Sequence, residues 1–186
     1  MDAVSYILVG LILALLIALA RRRFAAFEGQ SPEDYDDMGP EFDPRRHLSG
    51  ALVCEGVIFG PTGRVTSRFT AEMLGTWDGN KGTLAETFRY DSGTVQERAW
   101  QLELGENGRI TARAADVVGT GRGQYCGPTV QLLYDIRLTE DAGGHLLSVV
   151  DWMYLVDDKT IINRSQFRKF GIKVAELVAT IRPKDV

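Results

Sequence analysis

Cysteine and histidine are scarce in this chain of 186 residues, which contains two of each. Two cysteines are too few for a disulfide scaffold or a zinc ribbon, and His47 and His145 stand too far apart in the sequence to form a local ligand cluster. An excess of positive charge is also missing, because the formal net charge is −4 and a nucleic-acid-binding domain usually carries a basic stripe. We therefore expect no metal site, no cofactor and no nucleic-acid partner.

One long hydrophobic run is present, at the N-terminus. Val4–Ala20 has 17 residues and no charge, and as a helix it would span about 25 Å, at the short edge of what crosses a bilayer core of about 30 Å. Arg21–Arg23 follow directly, and their long side chains can extend to the headgroups. A cleaved signal peptide is the alternative, but no Lys or Arg precedes the run, which also exceeds the usual length of a signal core. We predict that residues 1–23 remain as a transmembrane anchor, with residues 4–20 in contact with the membrane.

The charges beside this run predict its orientation. Basic residues lie only on its C-terminal side, at Arg21–Arg23, whereas Asp2 lies on the other side. Clusters of basic residues tend to stay in the cytoplasm. We therefore expect an N-terminus outside the membrane and the remaining chain in the cytoplasm.

An acidic segment follows the anchor. Residues 28–43 contain seven acidic residues, two prolines and no basic residue. Such a composition rarely buries enough apolar surface to become ordered. We predict residues 24–44 to be a flexible tether, which holds an acidic domain away from the anionic lipid surface.

From residue 45 to residue 186, short runs of strand-forming residues alternate with turn signals such as Asp91-Ser92-Gly93. The candidate strands span residues 51–59, 64–77, 83–90, 94–104, 109–117, 128–139, 145–156 and 160–167. Consecutive hairpins of this kind predict an antiparallel barrel of about eight strands, because closure removes exposed strand edges. Apolar residues at 170, 174, 177, 178 and 181 have helical spacing, so we expect a C-terminal α-helix that ends before Pro183.

A glycine-rich stretch, Gly119–Gly123, has some resemblance to a phosphate-binding loop. It lacks the following Lys-Ser/Thr pair and does not begin a predicted helix, so we interpret it as a tight loop at the barrel rim. No G-x-S-x-G elbow occurs either. The sequence therefore identifies no catalytic residue.

Alternation along the strands identifies candidate ligand contacts. A turn at residues 91–93 pairs Glu86 with Arg98 and places Trp100 on the same face. If that face points inward, the two charges form a partly buried pair, and a polar group in an apolar barrel is typical of a ligand pocket. A purely structural ion pair is the alternative.

A second cluster of polar and aromatic residues lies in the predicted strand 145–156 and its neighbour. The turn at residues 157–159 places Trp152 opposite Arg164, where the guanidinium is expected to stack on the indole ring. Asp151 and Tyr154 flank Trp152 and complete this candidate site, with packing in the core or at the rim as the alternative. We expect both cysteines, Cys54 and Cys126, to be buried free thiols.

The chain resembles the DUF3833 proteins, an uncharacterised bacterial family. The blocks that carry the resemblance are 56–59, 65–69, 75–79, 84–90 with Gly93, 98–100, 116–119, 151–154, 163–165 and 169–171. The resemblance implies a lipocalin-like barrel over residues 42–182 and a bacterial protein. Many members of the family look like lipoproteins, but no cysteine follows the apolar run here. We therefore expect a single-pass protein of the inner membrane.

Three functions remain open at this point. We favour a membrane-tethered barrel that binds a lipid-like or other apolar small molecule, because the pattern combines an anchor, inward aromatic residues and a polar pair. A filled barrel that serves as a structural or assembly partner is the alternative. An enzyme that uses Glu86 or Asp151 for proton transfer is a third hypothesis. The sequence does not identify a protein partner.

Overall fold

Most of the protein is a closed antiparallel barrel, preceded by a helix and a connecting segment. The computed structural model describes residues 2–184, apart from the side chain of Asp141. Within these residues the barrel has ten strands, which pair in chain order and close where β1 meets β10. The strands are β1 (Gly50–Phe59), β2 (Val65–Asp78), β3 (Lys81–Tyr90), β4 (Val95–Leu104), β5 (Arg109–Arg113), β6 (Val117–Cys126), β7 (Thr129–Arg137), β8 (Leu146–Leu155), β9 (Ile161–Lys169) and β10 (Ile172–Pro183).

The N-terminal helix α1 spans Ala3–Phe24. Asp2 caps it by accepting a hydrogen bond of 3.0 Å from the backbone N–H of Ser5, and Arg21–Arg23 occupy the last turn, where positive charge is favourable. The helix is exposed along its described length and is apolar on every side, with a mean hydropathy of 2.7 over its most apolar window. By length and composition it fits a membrane span or a signal sequence.

The predicted all-β barrel and its strand registers are confirmed. Glu86 lies opposite Arg98 across β3 and β4, and the turn between them closes with a hydrogen bond of 3.0 Å from Tyr90 N to Thr94 O. Trp152 lies opposite Arg164 across β8 and β9. Both registers follow from hairpin turns of three to five residues, which leave little freedom in pairing.

Two strands were not predicted. The glycine-rich stretch interpreted as a rim loop belongs to β6, where a Cβ atom at Gly123 would lie 1.9 Å from the carbonyl oxygen of Gln131. The strands approach closely here, so glycine is required by the contact and not by a turn. The predicted C-terminal helix is wrong, because these residues form β10 and pair with both β1 and β9. Without β10, both neighbouring strands would have unpaired edges.

The segment between α1 and the barrel packs on the outer wall, and its predicted flexibility stays a prediction. It contains two short 3₁₀ turns, Phe27–Gly29 and Pro32–Tyr35, and a one-turn helix α2 (Pro44–His47). Pro32 and Phe42 are buried. Aromatic residues and prolines among the acidic ones therefore bury apolar surface in this segment, which we call the outer strap (residues 27–47).

The two ends of the barrel differ. The last part of the outer strap lies at one end, where Phe42 N donates a hydrogen bond of 2.8 Å to the carbonyl oxygen of Gly127 between β6 and β7. Leu48, directly after the strap, is buried there, and its carbonyl oxygen accepts a hydrogen bond of 3.0 Å from Trp77 Nε1. We call this the closed end. The turns β1–β2, β3–β4, β5–β6, β7–β8 and β9–β10 lie at the other end, which we call the open end. Inward-facing apolar residues from all ten strands form the core.

Candidate ligand-binding cavity

A cavity of about 240 Å³ lies inside the barrel. Its wall is mostly apolar and is buried toward the closed end, where Leu84, Trp100 and Leu132 contribute. The apolar lining residues that keep partial exposure lie toward the open end: Ile58, Phe88, Tyr90, Leu138, Phe167 and Leu177. The cavity therefore opens at the open end.

Glu86, Arg98 and Trp100 all line this cavity, as the alternation along β3 and β4 predicts. Arg98 has a different ionic partner from the predicted one, because its Nε donates a hydrogen bond of 3.0 Å to Oδ1 of Asp116. Among the described residues no ion pair joins it to Glu86. Its guanidinium carbon lies 4.1 Å from the centroid of the Trp100 ring, a cation–π distance. The side chain is thus held from two sides in the cavity wall.

Glu86 and Arg98 each leave a buried polar atom unsatisfied. Glu86 is 7% exposed, and its Oε2 has no hydrogen-bond partner among the described residues. Arg98 Nη2 is likewise buried without a partner in that part of the chain. Because a buried unpaired polar atom is costly, an unpaired acceptor beside an unpaired donor is typical of a site that a ligand completes.

The protonation of Glu86 is set by its surroundings. Burial raises the pKa of its carboxyl to about 7, while the positive charge of Arg98 opposes the shift and the carboxylates of Asp151 and Asp116 reinforce it. Near neutral pH this side chain is therefore present both as an acid and as a carboxylate. The neutral form can donate a hydrogen bond into the cavity.

The raised pKa of Glu86 predicts a pH-dependent stability. Its unfolded value is near 4.5, so between pH 4.5 and pH 7 the folded state binds more protons, and its stability falls as the pH rises through this window. Glu86→Gln removes this titration and is expected to be more stable than the parent at pH 8 by up to about 3 kcal/mol, and equally stable near pH 4.5. Urea unfolding at both pH values measures the difference. If the free energy of unfolding changes by the same amount in both proteins between the two pH values, the raised pKa of Glu86 is contradicted.

Asp151 lies on the opposite wall in a well-bonded environment. Its Oδ1 accepts hydrogen bonds from Asn163 Nδ2 at 2.6 Å and from Ser165 Oγ at 2.7 Å. Its Oδ2 lies 3.5 Å from the hydroxyl of Tyr134. Burial raises the pKa of Asp151, against the effect of the hydrogen bonds from Ser165 and Asn163. This carboxyl is satisfied by the protein, so it is less available to a ligand than Glu86.

The polar residues of the cavity that were not among the sequence candidates include Gln96, Asp116, Tyr134, Asn163 and Ser165. Strand alternation contained part of the signal, because Asn163 lies opposite the inward Met153 in the predicted register. Asp116 gave no such signal, since it lies in the turn between β5 and β6. Within residues 2–184, no cluster of three His, Cys, Asp or Glu side chains has the arrangement of a metal site.

The other candidates, Trp152, Tyr154 and Arg164, do not line the cavity. They point outward and lie beneath the outer strap, where the fully buried Trp152 stacks on Tyr154 with ring centroids 5.8 Å apart. Tyr35 of the strap contacts Trp152 edge-on at 5.6 Å. The predicted stacking of Arg164 on Trp152 is wrong, because its guanidinium lies 4.6 Å from the ring centroid of Phe27. These residues therefore contact the strap and lie outside the barrel cavity.

Both cysteines are free thiols, as expected. Cys54 is buried in the cavity wall, where burial, with a smaller contribution from the charge of Glu86, raises its pKa to about 12. Cys126 is only half-buried, which corrects the prediction for that residue, and its Sγ lies 3.3 Å from Oδ1 of Asp36 in the strap.

Solved structures share this fold. The chain is similar to Rv2717c from M. tuberculosis, with a TM-score of 0.56 and 16% identity over 80% of this chain and 100% of that one. It is also similar to the S-type phycobiliprotein lyase CPES from Guillardia theta, with a TM-score of 0.58 and 8% identity over 84% of this chain and 99% of that one. A DUF3598 protein of unknown function from Nostoc punctiforme has a TM-score of 0.54 and 8% identity, over 78% of this chain and 51% of that one.

At these identities the likeness shows a lipocalin-like barrel fold alone. No curated protein matches the chain. The family comparison agrees with the resemblance found in the sequence blocks: residues 22–183 match DUF3833, a family described as proteins of unknown function, and the chain belongs to that family.

Proposed function

We propose that this protein binds a small amphipathic molecule inside its barrel, with the polar end of the ligand between Glu86 and Arg98. The observation that carries the proposal is the pair of unsatisfied buried polar atoms, Glu86 Oε2 and Arg98 Nη2, in the wall of an apolar cavity. The S-type phycobiliprotein lyase that shares the fold supports a small-molecule function only in a general way. The chemistry of the ligand follows from the cavity itself.

The volume of the cavity limits the size of the ligand. A cavity of about 150 Å³ accommodates benzene, so 240 Å³ leaves room for about ten non-hydrogen atoms. The aromatic and aliphatic wall toward the open end suits a flexible hydrocarbon portion. A longer tail would extend through the open end, where the lining residues are partly exposed.

The charges of the cavity favour a head group without negative charge. Three carboxyls, those of Glu86, Asp116 and Asp151, face one guanidinium, that of Arg98. An anionic head group would meet net repulsion, which becomes weaker when Glu86 is protonated. A hydroxyl or an amide can accept from Arg98 and also donate to Glu86, so a neutral head group with both capacities fits best.

Three single-chain compounds with different head groups test this proposal. We expect 1-nonanol to bind more tightly than nonylamine and nonanoate to bind most weakly at pH 8, because only the alcohol pairs with both unsatisfied atoms. Nonanoate binding is expected to strengthen as the pH falls through about 7, where Glu86 takes up a proton. Calorimetric titration of the detergent-solubilised full chain measures all three affinities.

Glu86→Gln is the matched control for the head-group test. It keeps the shape of the side chain but does not titrate, so the pH dependence of nonanoate binding is expected to disappear. If none of the three compounds binds, the ligand proposal fails. Equal affinities for all three would place the polar end elsewhere.

The proposal includes a membrane anchor formed by α1, with the barrel on the cytoplasmic side of the bacterial inner membrane. It is supported by the apolar helix and by Arg21–Arg23 at its end. We expect N-terminal sequencing of the membrane fraction to recover the chain from residue 1 or 2. A mature protein that begins at Arg21 would identify the helix as a signal peptide instead.

A further inference from the structure

The turn between β9 and β10 carries two highly exposed apolar side chains at the open end of the barrel. Phe170 is 93% exposed and Ile172 is 69% exposed. Arg168, Lys169 and Lys173 flank them in the sequence. The turn therefore has an apolar tip and positively charged residues on either side of it. Large apolar side chains between basic ones are typical of segments that lie in the headgroup region of a bilayer.

The backbone of this turn is unfavourable for the residue at its tip. Phe170 has a φ of 53° and Gly171 a φ of 78°, so both residues adopt the left-handed conformation of a two-residue hairpin turn. Asn or Gly is preferred at the first of these positions, and an aromatic residue there is an outlier. Neither burial nor backbone preference within the barrel accounts for Phe170.

The end of α1 lies close to the same hairpin. The carboxylate of Glu28 accepts a hydrogen bond from Arg22 in the last turn of α1 at 3.1 Å and forms an ion pair with Arg168 of β9 at 3.0 Å. One side chain thus connects the helix to the base of the β9–β10 turn. Phe27, three residues after the end of α1, packs against Arg164 of β9. The chain between α1 and this contact with the barrel is therefore short.

We infer that the β9–β10 turn inserts Phe170 and Ile172 into the interface of the bilayer that α1 spans, so that the open end of the cavity faces the lipid. This inference rests on the proposed membrane anchoring of α1. The partner is a phospholipid surface, because the helix that ends beside the turn is the membrane-spanning element and because Lys169 and Arg21–Arg23 carry the charge that anionic headgroups attract.

The inference also identifies a route for the ligand. Phe167 lines the cavity and lies three residues before Phe170 on the same hairpin. A molecule that leaves the acyl-chain region at the tip would therefore meet the cavity wall next. This arrangement replaces the expectation that the acidic domain is held away from the membrane.

The test places a fluorophore on the turn in the full chain. Cys126→Ser removes the accessible thiol, and the buried Cys54, with its pKa of about 12, stays unlabelled. A cysteine introduced by Ile172→Cys carries an NBD label, and Val156→Cys, an exposed apolar position at the closed end, is the matched control. The proteins are reconstituted into phosphatidylcholine–phosphatidylglycerol vesicles that contain a chain-brominated lipid.

We expect the label at position 172 to show a blue-shifted emission and quenching by the brominated chains, and the label at position 156 to show neither. Adding Phe170→Asn is expected to remove the quenching at 172 while the thermal midpoint stays the same or rises, since asparagine suits the left-handed conformation. A loss of thermal stability in this variant would instead assign Phe170 a structural role and overturn the inference.

Flotation of the vesicles separates the two proposals. If the unlabelled chain does not float with the vesicles, the anchoring of α1 fails and the inference fails with it. If the chain floats but the label at 172 behaves like the label at 156, anchoring stands and only the inference is overturned. A third outcome concerns the protein in detergent without lipid. If the label at position 172 is shielded there, and the shielding increases with protein concentration, a second copy of the protein covers the turn and the inference is overturned.

Discussion

Replacing Arg98 with methionine is expected to lower the free energy of unfolding by about 3–5 kcal/mol. The Arg98 and Asp116 side chains are 14% and 21% exposed, and they form an ion pair of 3.0 Å in the cavity wall. Methionine leaves Asp116 without its ionic partner. The neighbouring carboxyls of Glu86, Asp116 and Asp151 then lack a compensating positive charge. It also removes the cation–π contact with Trp100.

Chemical unfolding at pH 8, above the pKa of Glu86 of about 7, measures this effect. Arg68→Met is the matched control: Arg68 also pairs with an aspartate, Asp91 at 3.1 Å, but is 71% exposed, and its loss is expected to change stability by about 0–1 kcal/mol. Adding Asp116→Asn to Arg98→Met should recover part of the loss, since the two side chains are coupled. Similar effects of Arg98→Met and Arg68→Met would contradict the buried pair.

Trp152→Ala is also expected to destabilise the fold, by about 3–5 kcal/mol. Trp152 is fully buried between the outer wall of the barrel and the outer strap, where it contacts Tyr35 and Tyr154. Truncation leaves a cavity under the strap and removes the aromatic contact that holds it. Because Trp152 lies outside the barrel interior, the affinity for 1-nonanol in the folded protein is expected to stay unchanged.

Two measurements separate these effects. Urea unfolding gives the loss of stability, and limited proteolysis under native conditions reports release of residues 27–47. Trp152→Phe keeps an aromatic ring in the site and should be intermediate in both. Resistance of the strap to protease in Trp152→Ala would show that other contacts, such as the hydrogen bond of 2.9 Å from Tyr154 to Gln30, are sufficient to hold it.

The cavity residues on β3 and β4 were predictable because hairpins are local. The turn that joins the two strands fixes which residues face each other, and alternation then places Glu86, Arg98 and Trp100 on one face. The same reasoning gave the correct register for Trp152 and Arg164 but not their side of the sheet. Both faces of β8 carry apolar residues, since the strap buries the outer face, so alternation alone does not distinguish inside from outside.

Partners from distant parts of the chain were not predictable. Arg98 pairs with Asp116, which lies in a turn 18 residues later. Helical spacing in residues 170–181 was misleading because a bulge near Lys173 and Ala175 shifts the alternation of β10. Only the need of β1 and β9 for a neighbouring strand makes this segment extended, and that need does not appear in the local sequence.

The sequence alone determined the apolar N-terminal helix, the antiparallel barrel, the registers of its tight hairpins and the family to which the chain belongs. Each of these depends on short-range periodicity, on turn residues or on ordered sequence blocks. The tertiary structure decided the closure by β10, the packing of the strap, the partner of Arg98 and the closeness of α1 to the open end. These features depend on contacts between residues far apart in the chain, where burial and charge pairing outweigh local preference.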